Sequence, residues 1–166
     1  LYFSENRTPF WNEFFKITTQ FGEEIAYLIL GIIFLFIRFR NAILLGLTGF
    51  IVMGVSYGLK ALFLHPRPSV FFHSNGKLPS MELVEGVKLL SGPTSFPSGH
   101  TMSGFALYLL VMLFLPPKKR FAGLLFLTAL VVGFSRIYLV QHFLQDVLAG
   151  AFCGVLISTL VYYFNE

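Results

Sequence analysis

Charge is what this chain has least of: Asp, Glu, Lys and Arg make up 12% of its 166 residues, where an ordinary soluble domain carries about 25%. With 55% of residues hydrophobic, 21 of them Phe, a water-soluble globule is excluded, because a body this small has too little interior to hide them. Cysteine is nearly absent as well. The one example, Cys153, lies in an apolar run, so neither a disulfide framework nor a Cys-based metal site is available. The net charge is +4, yet long basic blocks are missing. The densest cluster, Lys118, Lys119 and Arg120, sits between two apolar runs, which suits a short cytoplasmic loop better than nucleic acid. The alternating segments of roughly ten residues that an outer-membrane barrel needs are missing too. Repeats, low-complexity tracts and interdomain linkers are also lacking, so residues 1–166 are expected to form one integral membrane domain of the all-α class.

What is there is a set of long apolar runs. A membrane-crossing helix takes about 20 apolar residues, and five candidate spans stand at 24–38, 42–64, 99–115, 120–138 and 145–164. Upstream, Thr8-Pro9 reads as an N-cap followed by proline at the first helical position. Phe10, Phe14, Ile17 and Phe21 then recur at helical spacing beside Trp11, with Glu13, Lys16 and Gln20 for a wet face. This pattern predicts an amphipathic helix lying in the membrane interface. Arg38 and Arg40 end the first span and Lys118 to Arg120 join the third and fourth, which places both turns in the cytoplasm. The loop 65–98 and the turn near 139–144 then share the outer face. Within that loop the prolines of His65-Pro66-Arg67-Pro68 are expected to hold an extended segment. Met81, Val84, Val87 and Leu90, introduced by Pro79-Ser80, predict a short surface helix over 81–90 that could gate a lipid entrance.

Span order alone brings three distant groups of polar residues to one end of the bundle. Lys60 and Arg67 flank the outer end of the second span, Ser98, Gly99 and His100 open the third, and Arg136, His142 and Asp146 straddle the last turn. A helix start exposes unpaired N–H groups and a positive dipole end, and Lys60, Arg67 and Arg136 add cations suited to phosphate oxygens. This is a site for a tetrahedral dianion. His142 and Asp146, four residues apart, share a helix face; the carboxylate can fix the imidazole tautomer, leaving the histidine as base or nucleophile. His100 is available as a general acid. Taken singly each residue has a plainer explanation: a histidine at a helix end caps or packs, as His65 and His73 are expected to do, an i, i+4 His/Asp pair is commonly structural, and a lone Lys or Arg snorkels to headgroups. Their joint spacing decides the matter.

Lys60-x6-Arg67-Pro68, Pro97-Ser98-Gly99-His100 and Ser135-Arg136-x5-His142-x3-Asp146 together resemble the three-part signature of the type 2 phosphatidate phosphatase superfamily, which includes vanadium haloperoxidases and bacterial acid phosphatases. The resemblance covers residues 60–146 with every fixed position present. It implies that His142 attacks phosphorus to form a phosphohistidine, that Asp146 orients it, and that His100 protonates the departing group. It further implies that Lys60, Arg67, Arg136, Ser98 and Gly99 hold the phosphate, with no metal ion or other cofactor. Membrane members usually have six spans, so a further span is expected before Leu1.

The expectation is therefore a lipid phosphate phosphatase of a bacterial inner membrane, with its site facing the exterior or periplasm. Undecaprenyl diphosphate, lipid A phosphate, phosphatidylglycerophosphate and phosphatidate are candidate substrates; the lipid and the bilayer are the expected partners, and the sequence does not specify an oligomeric state. A phosphotransferase would use the same residues. A haloperoxidase is disfavoured because those relatives are soluble. A transporter or inactive lipid-binding protein would also bury charges, but here the charges gather at one end of the spans.

Overall fold

The computed structural model describes residues 6–78, 82–115 and 119–164. Among them stand seven helices and no strand: α1 (Pro9–Thr18), a 3-10 turn (Thr19–Gly22), α2 (Glu24–Ile37), α3 (Phe39–Phe63), α4 (Pro68–Ser74), α5 (Gly99–Phe114), α6 (Lys119–Tyr138) and α7 (Leu144–Tyr163). α5 is the axis of the bundle, packed chiefly on α7 and also against α6 and α3. Its Met102, Ala106, Leu107 and Leu110 are wholly buried. α2 packs on α3, and α1 on α6.

The breaks follow local chemistry. Thr8 caps α1 by accepting the Trp11 N–H at 3.4 Å, with Pro9 in the first turn, as the sequence predicts. α3 stops where Leu64 turns left-handed (φ 44°) and returns its N–H to the Lys60 carbonyl, just ahead of Pro66. α5 starts at Gly99 behind the N-cap Ser98, whose hydroxyl accepts the side-chain hydroxyl of Thr101 at 2.9 Å.

One expectation about the outer loop is corrected. Over residues 82–90 the chain forms a turn at Glu85-Gly86 and no helix; Pro79, Ser80 and Met81 lie outside the described residues. Gly86 takes φ +77°, which breaks a helix, and Val84 is buried by that turn against Phe15, Tyr138 and Leu139. The extended segment expected at the start of the loop is present over residues 65–67, with Arg67 at φ −76° and ψ 157°. The loop's helix follows at Pro68–Ser74, where Pro68 occupies the first turn, a position whose missing N–H costs nothing.

Helices occupy all five expected spans, but fewer meet the requirements for crossing a bilayer. Three stretches are long and apolar enough, Phe39–Ser74, Phe121–Tyr138 and Leu144–Tyr163, and a fourth if α1, the turn and α2, bent by 56°, count as one broken span. The expected spans at 24–38 and 99–115 correspond to helices of 14 and 16 residues, about 21 and 24 Å at 1.5 Å per residue. For α5 the reason is physical: it is sheathed by other helices rather than by lipid, so its length need not match the hydrocarbon. The outward faces are apolar, with Phe36 88%, Phe50 70% and Phe152 69% exposed. Only a hydrocarbon solvent makes such surfaces stable, and the chain is a multi-pass membrane protein.

Gly150 and Gly154 let α7 lie directly on α5. A Cβ on Gly150 would stand 2.5 Å from the Ser98 carbonyl oxygen, and one on Gly154 2.5 Å from that of Met102. This is the small-xxx-small contact of helices in lipid. Because backbone rather than a flexible side chain stands in the way, Gly154→Ala should destabilise the fold by about 1–3 kcal/mol, read as a lower unfolding midpoint in detergent. An unchanged midpoint would show that the two helices are not in contact there.

Candidate active site

Each segment that carries a sequence-singled residue ends at the same pole of the bundle. Lys60 lies in the last turn of α3, Arg67 is the N-cap of α4, Ser98 the N-cap of α5 with Gly99 and His100 following, Arg136 lies in the last turn of α6, and Asp146 in the first turn of α7. His142 sits in the turn between α6 and α7. All eight converge. Arg136, His142, Lys60 and Arg67 all act electrostatically on His100, and a Cβ on Gly99 would lie 3.5 Å from Lys60 Nζ.

The turn that presents His142 is closed onto α6. The Arg136 carbonyl accepts the N–H groups of Gln141 (2.9 Å) and His142 (3.2 Å), and that of Ser135 accepts the Leu139 N–H at 2.9 Å. Between them Val140 takes φ 57°, a left-handed conformation that a β-branched residue adopts only under constraint. Arg67 adds that constraint from outside: its Nη1 donates to the Gln141 carbonyl and its Nη2 to that of Thr94, each at 3.2 Å.

At the centre, His142 Nδ1 stands 3.4 Å from Asp146 Oδ2. Two donors hold that carboxylate oxygen: the Ser95 hydroxyl at 2.5 Å and the Phe143 N–H at 2.9 Å. Ser95 Oγ also lies 3.5 Å from His142 Nδ1. His142, Asp146 and Ser95 are all buried. A proton on Nδ1 facing Asp146 leaves the Nε2 lone pair for an electrophile. Burial pushes the His142 imidazole down to about 4; the hydrogen bond to Asp146 opposes this, and Arg136 and Arg67 reinforce it. The neutral, nucleophilic form is thereby favoured.

The cations are incompletely satisfied. Arg136 Nη1 donates to Thr19 Oγ1 at 2.6 Å, yet the Nε atoms of both Arg67 and Arg136 are buried with no partner in the structure, as is Asp146 Oδ1. An unpaired buried donor costs about 1–3 kcal/mol, a cost that an anion placed between the arginines would offset.

Sequence reading missed three contributors. Ser95 stands three residues before Ser98 and could have been suspected from that proximity. Thr19 and Glu23, which reaches His100 Nε2 at 3.2 Å, come from the turn before α2, more than seventy residues from their partners, and no local signal marks them.

Several known proteins are similar to this chain. The chain is 39% identical to phosphatidylglycerophosphatase B of Bacillus subtilis over 80 residues, 43% of this chain and 39% of that protein. It is 28% identical to the undecaprenyl-diphosphatase BcrC of the same organism over 127 residues, 76% of this chain and 59% of that one. The matched region thus covers less than two thirds of either relative. Among solved structures, the PAP2-type phosphatidylglycerolphosphate phosphatase of B. subtilis superposes with a TM-score of 0.80 at 29% identity, covering 99% of this chain and 81% of that one. LpxE of Aquifex aeolicus superposes with a TM-score of 0.77 at 27% identity, covering 97% and 90%. The family model of the PAP2 superfamily matches residues 41–166, a stretch that holds all eight converging residues, and the chain belongs to that superfamily.

Proposed function

We propose that this protein is a lipid phosphate phosphatase that hydrolyses a phosphate or diphosphate headgroup through a phosphohistidine. The observation that carries the reading is a buried imidazole, 3.4 Å from a carboxylate, set among cations of which two have an unpartnered guanidinium nitrogen. In this reading His142 Nε2 attacks phosphorus, forming an N–P bond as the P–O bond to the leaving group breaks. Asp146 keeps the proton on Nδ1 and balances the charge that grows on the ring. His100 gives its proton to the departing oxygen. A water then attacks the phosphohistidine and returns a proton to His100, so that inorganic phosphate leaves and both imidazoles are restored.

Lys60, Arg67 and Arg136, with the α5 N-terminus at Ser98 and Gly99, form the phosphate cradle. Arg67 and Arg136 are held by the Gln141 and Thr94 carbonyls and the Thr19 hydroxyl before charge develops on the transferring group, which is the condition for electrostatic stabilisation. The headgroups named for the relatives fit such a site, and the membrane setting favours lipid esters over soluble ones. Phosphatidylglycerophosphate, undecaprenyl diphosphate, a lipid A phosphate and phosphatidate are the substrate classes to test.

In the same reading all five helices α2, α3, α5, α6 and α7 cross the bilayer, with the basic turns at Arg38, Arg40 and Lys118 to Arg120 in the cytoplasm of a bacterial cell. The active pole then faces outward. α1 lies in the interface, where Phe10 (68% exposed) and Trp11 (45%) suit the aromatic belt.

Three measurements test this. Purified protein in detergent should release phosphate from at least one lipid of that panel, with products identified by mass, and His142→Ala should lower the rate at least about 10³-fold; substantial residual turnover would remove His142 as nucleophile. Ser95→Ala takes a donor from the buried Asp146 carboxylate and should lower kcat about tenfold, the equivalent of 1.4 kcal/mol; wild-type kcat would mean that Ser95 does not support the pair. In protein labelled with 13C-histidine, the resonance lost in His142→Gln should titrate well below 6.5, near 4. The imidazole then stays neutral from pH 5 upward, and a midpoint at or above 6.5 would contradict the buried, cation-lined setting.

A further inference from the structure

We propose that Glu23 is a positioning residue of this site, holding the His100 imidazole in the orientation and charge state in which it delivers a proton to the leaving oxygen. The proposal rests on the reading of His100 as that proton donor.

The contact is direct: Glu23 Oε1 lies 3.2 Å from His100 Nε2. Both side chains are partly open, at 46% and 31% exposure, so the pair stands at the mouth of the site. A contact that open contributes little to stability. When the ring is protonated, its Nε2–H faces the carboxylate, and the proton that moves is the one on Nδ1. It passes to the leaving oxygen as the P–O bond breaks, and the neutral ring later takes a proton from the attacking water. Glu23 remains ionised throughout.

The turn that carries Glu23 is pinned to the site by contacts of its own. Thr19 Oγ1 accepts from Arg136 Nη1 at 2.6 Å, and the Phe21 carbonyl accepts from the Tyr108 hydroxyl at 2.8 Å. Gly22 lies so close to α5 that a Cβ there would stand 2.8 Å from the His100 carbonyl oxygen and 2.6 Å from Val132 Cγ1. Any larger residue would lift the turn, and the carboxylate with it, off the histidine.

Charge gives the contact its purpose. The groups acting on His100 from the surrounding elements are Arg136, His142, Lys60 and Arg67, and each of the three cations opposes a positive imidazolium. Asp146 is taken up with Ser95, the Phe143 N–H and His142. Among the described residues Glu23 is the carboxylate in contact with His100, and Arg136 feels it as well. A proton donor among three cations needs such a counter-charge to be loaded between turnovers.

The test compares two substrates in detergent: phosphatidate, whose alkoxide must be protonated to leave, and p-nitrophenyl phosphate, whose phenolate leaves without a proton. General acid catalysis contributes about 10²–10⁴-fold, and loss of the positioning contact should remove about tenfold of it. Glu23→Gln should therefore lower the ratio of kcat on phosphatidate to kcat on p-nitrophenyl phosphate about tenfold, and Glu23→Asp should restore part of that ratio. An unchanged ratio in Glu23→Gln, equal losses on both substrates, or a rise in kcat/KM on both would overturn the proposal, the last because it would mean that the carboxylate competes with phosphate. His100→Ala separates the two levels. If its ratio falls and that of Glu23→Gln does not, Glu23 is no positioning residue; if its ratio does not fall, His100 is not the proton donor. If the wild-type protein does not turn over phosphatidate, the lipid phosphate of the panel that it does turn over takes its place in the ratio, and no turnover of any panel lipid would count against the phosphatase reading itself.

Discussion

One backbone hydrogen bond couples the two halves of the polar pole: the Ser98 N–H donates to the Asp146 carbonyl at 2.9 Å. It ties the start of α5 to the first turn of α7, and so fixes the Ser98-Gly99-His100 segment against the His142–Asp146 pair. The bond is possible because Gly150 and Gly154 allow the two helices to touch backbone to backbone below it. Side chains of ordinary size at those positions would separate the helix starts, and the distances on which the candidate chemistry depends would open together.

The bilayer explains why so few charges suffice. Burying an ion in a low-dielectric medium is costly unless it is paired or hydrogen-bonded, and an apolar bundle can hold few of them. Asp146 is the one aspartate of the chain, and it is fully buried. Its oxygen is satisfied by a hydroxyl and a helix-start N–H, and it faces the His142 imidazole, rather than being neutralised by one of the arginines. That leaves Arg67 and Arg136 with backbone carbonyls and a threonine hydroxyl as partners, all neutral groups. The positive field is thereby kept for an anion that enters, instead of being cancelled within the protein.

Much of this was legible in the sequence, for reasons that can be named. Long apolar runs give helix order, helix order gives the face on which each loop emerges, and three loops with Lys, Arg, His and Asp at fixed offsets then have to meet. His142 and Asp146 were readable because their contact is local. The turn at 82–90 was not: Val84 satisfies an apolar period whether it is buried by a helix or by a turn, and Gly86 was outvoted by the pattern around it. The short helix after Arg67 was not foreseen, because proline can end one helix and begin the next, and only the tertiary setting decides which.

The break at Thr19 to Glu23 shows where sequence periodicity loses its authority. Phe10, Phe14, Ile17 and Phe21 keep helical spacing straight through it, and nothing in their pattern stops α1 at Thr18. The helix ends because the polar pole requires more from this stretch than its own i to i−4 hydrogen bonds could offer. Arg136 needs an acceptor and finds the Thr19 hydroxyl; Tyr108 takes the Phe21 carbonyl; Gly22 seats against the His100 carbonyl; and Glu23 reaches the imidazole. Four contacts with residues 77 to 117 positions away in the chain replace a single helical turn. Leaving a buried guanidinium donor unpaired costs more than interrupting a helix at a glycine, so the long-range polar requirements prevail over the local hydrophobic rhythm.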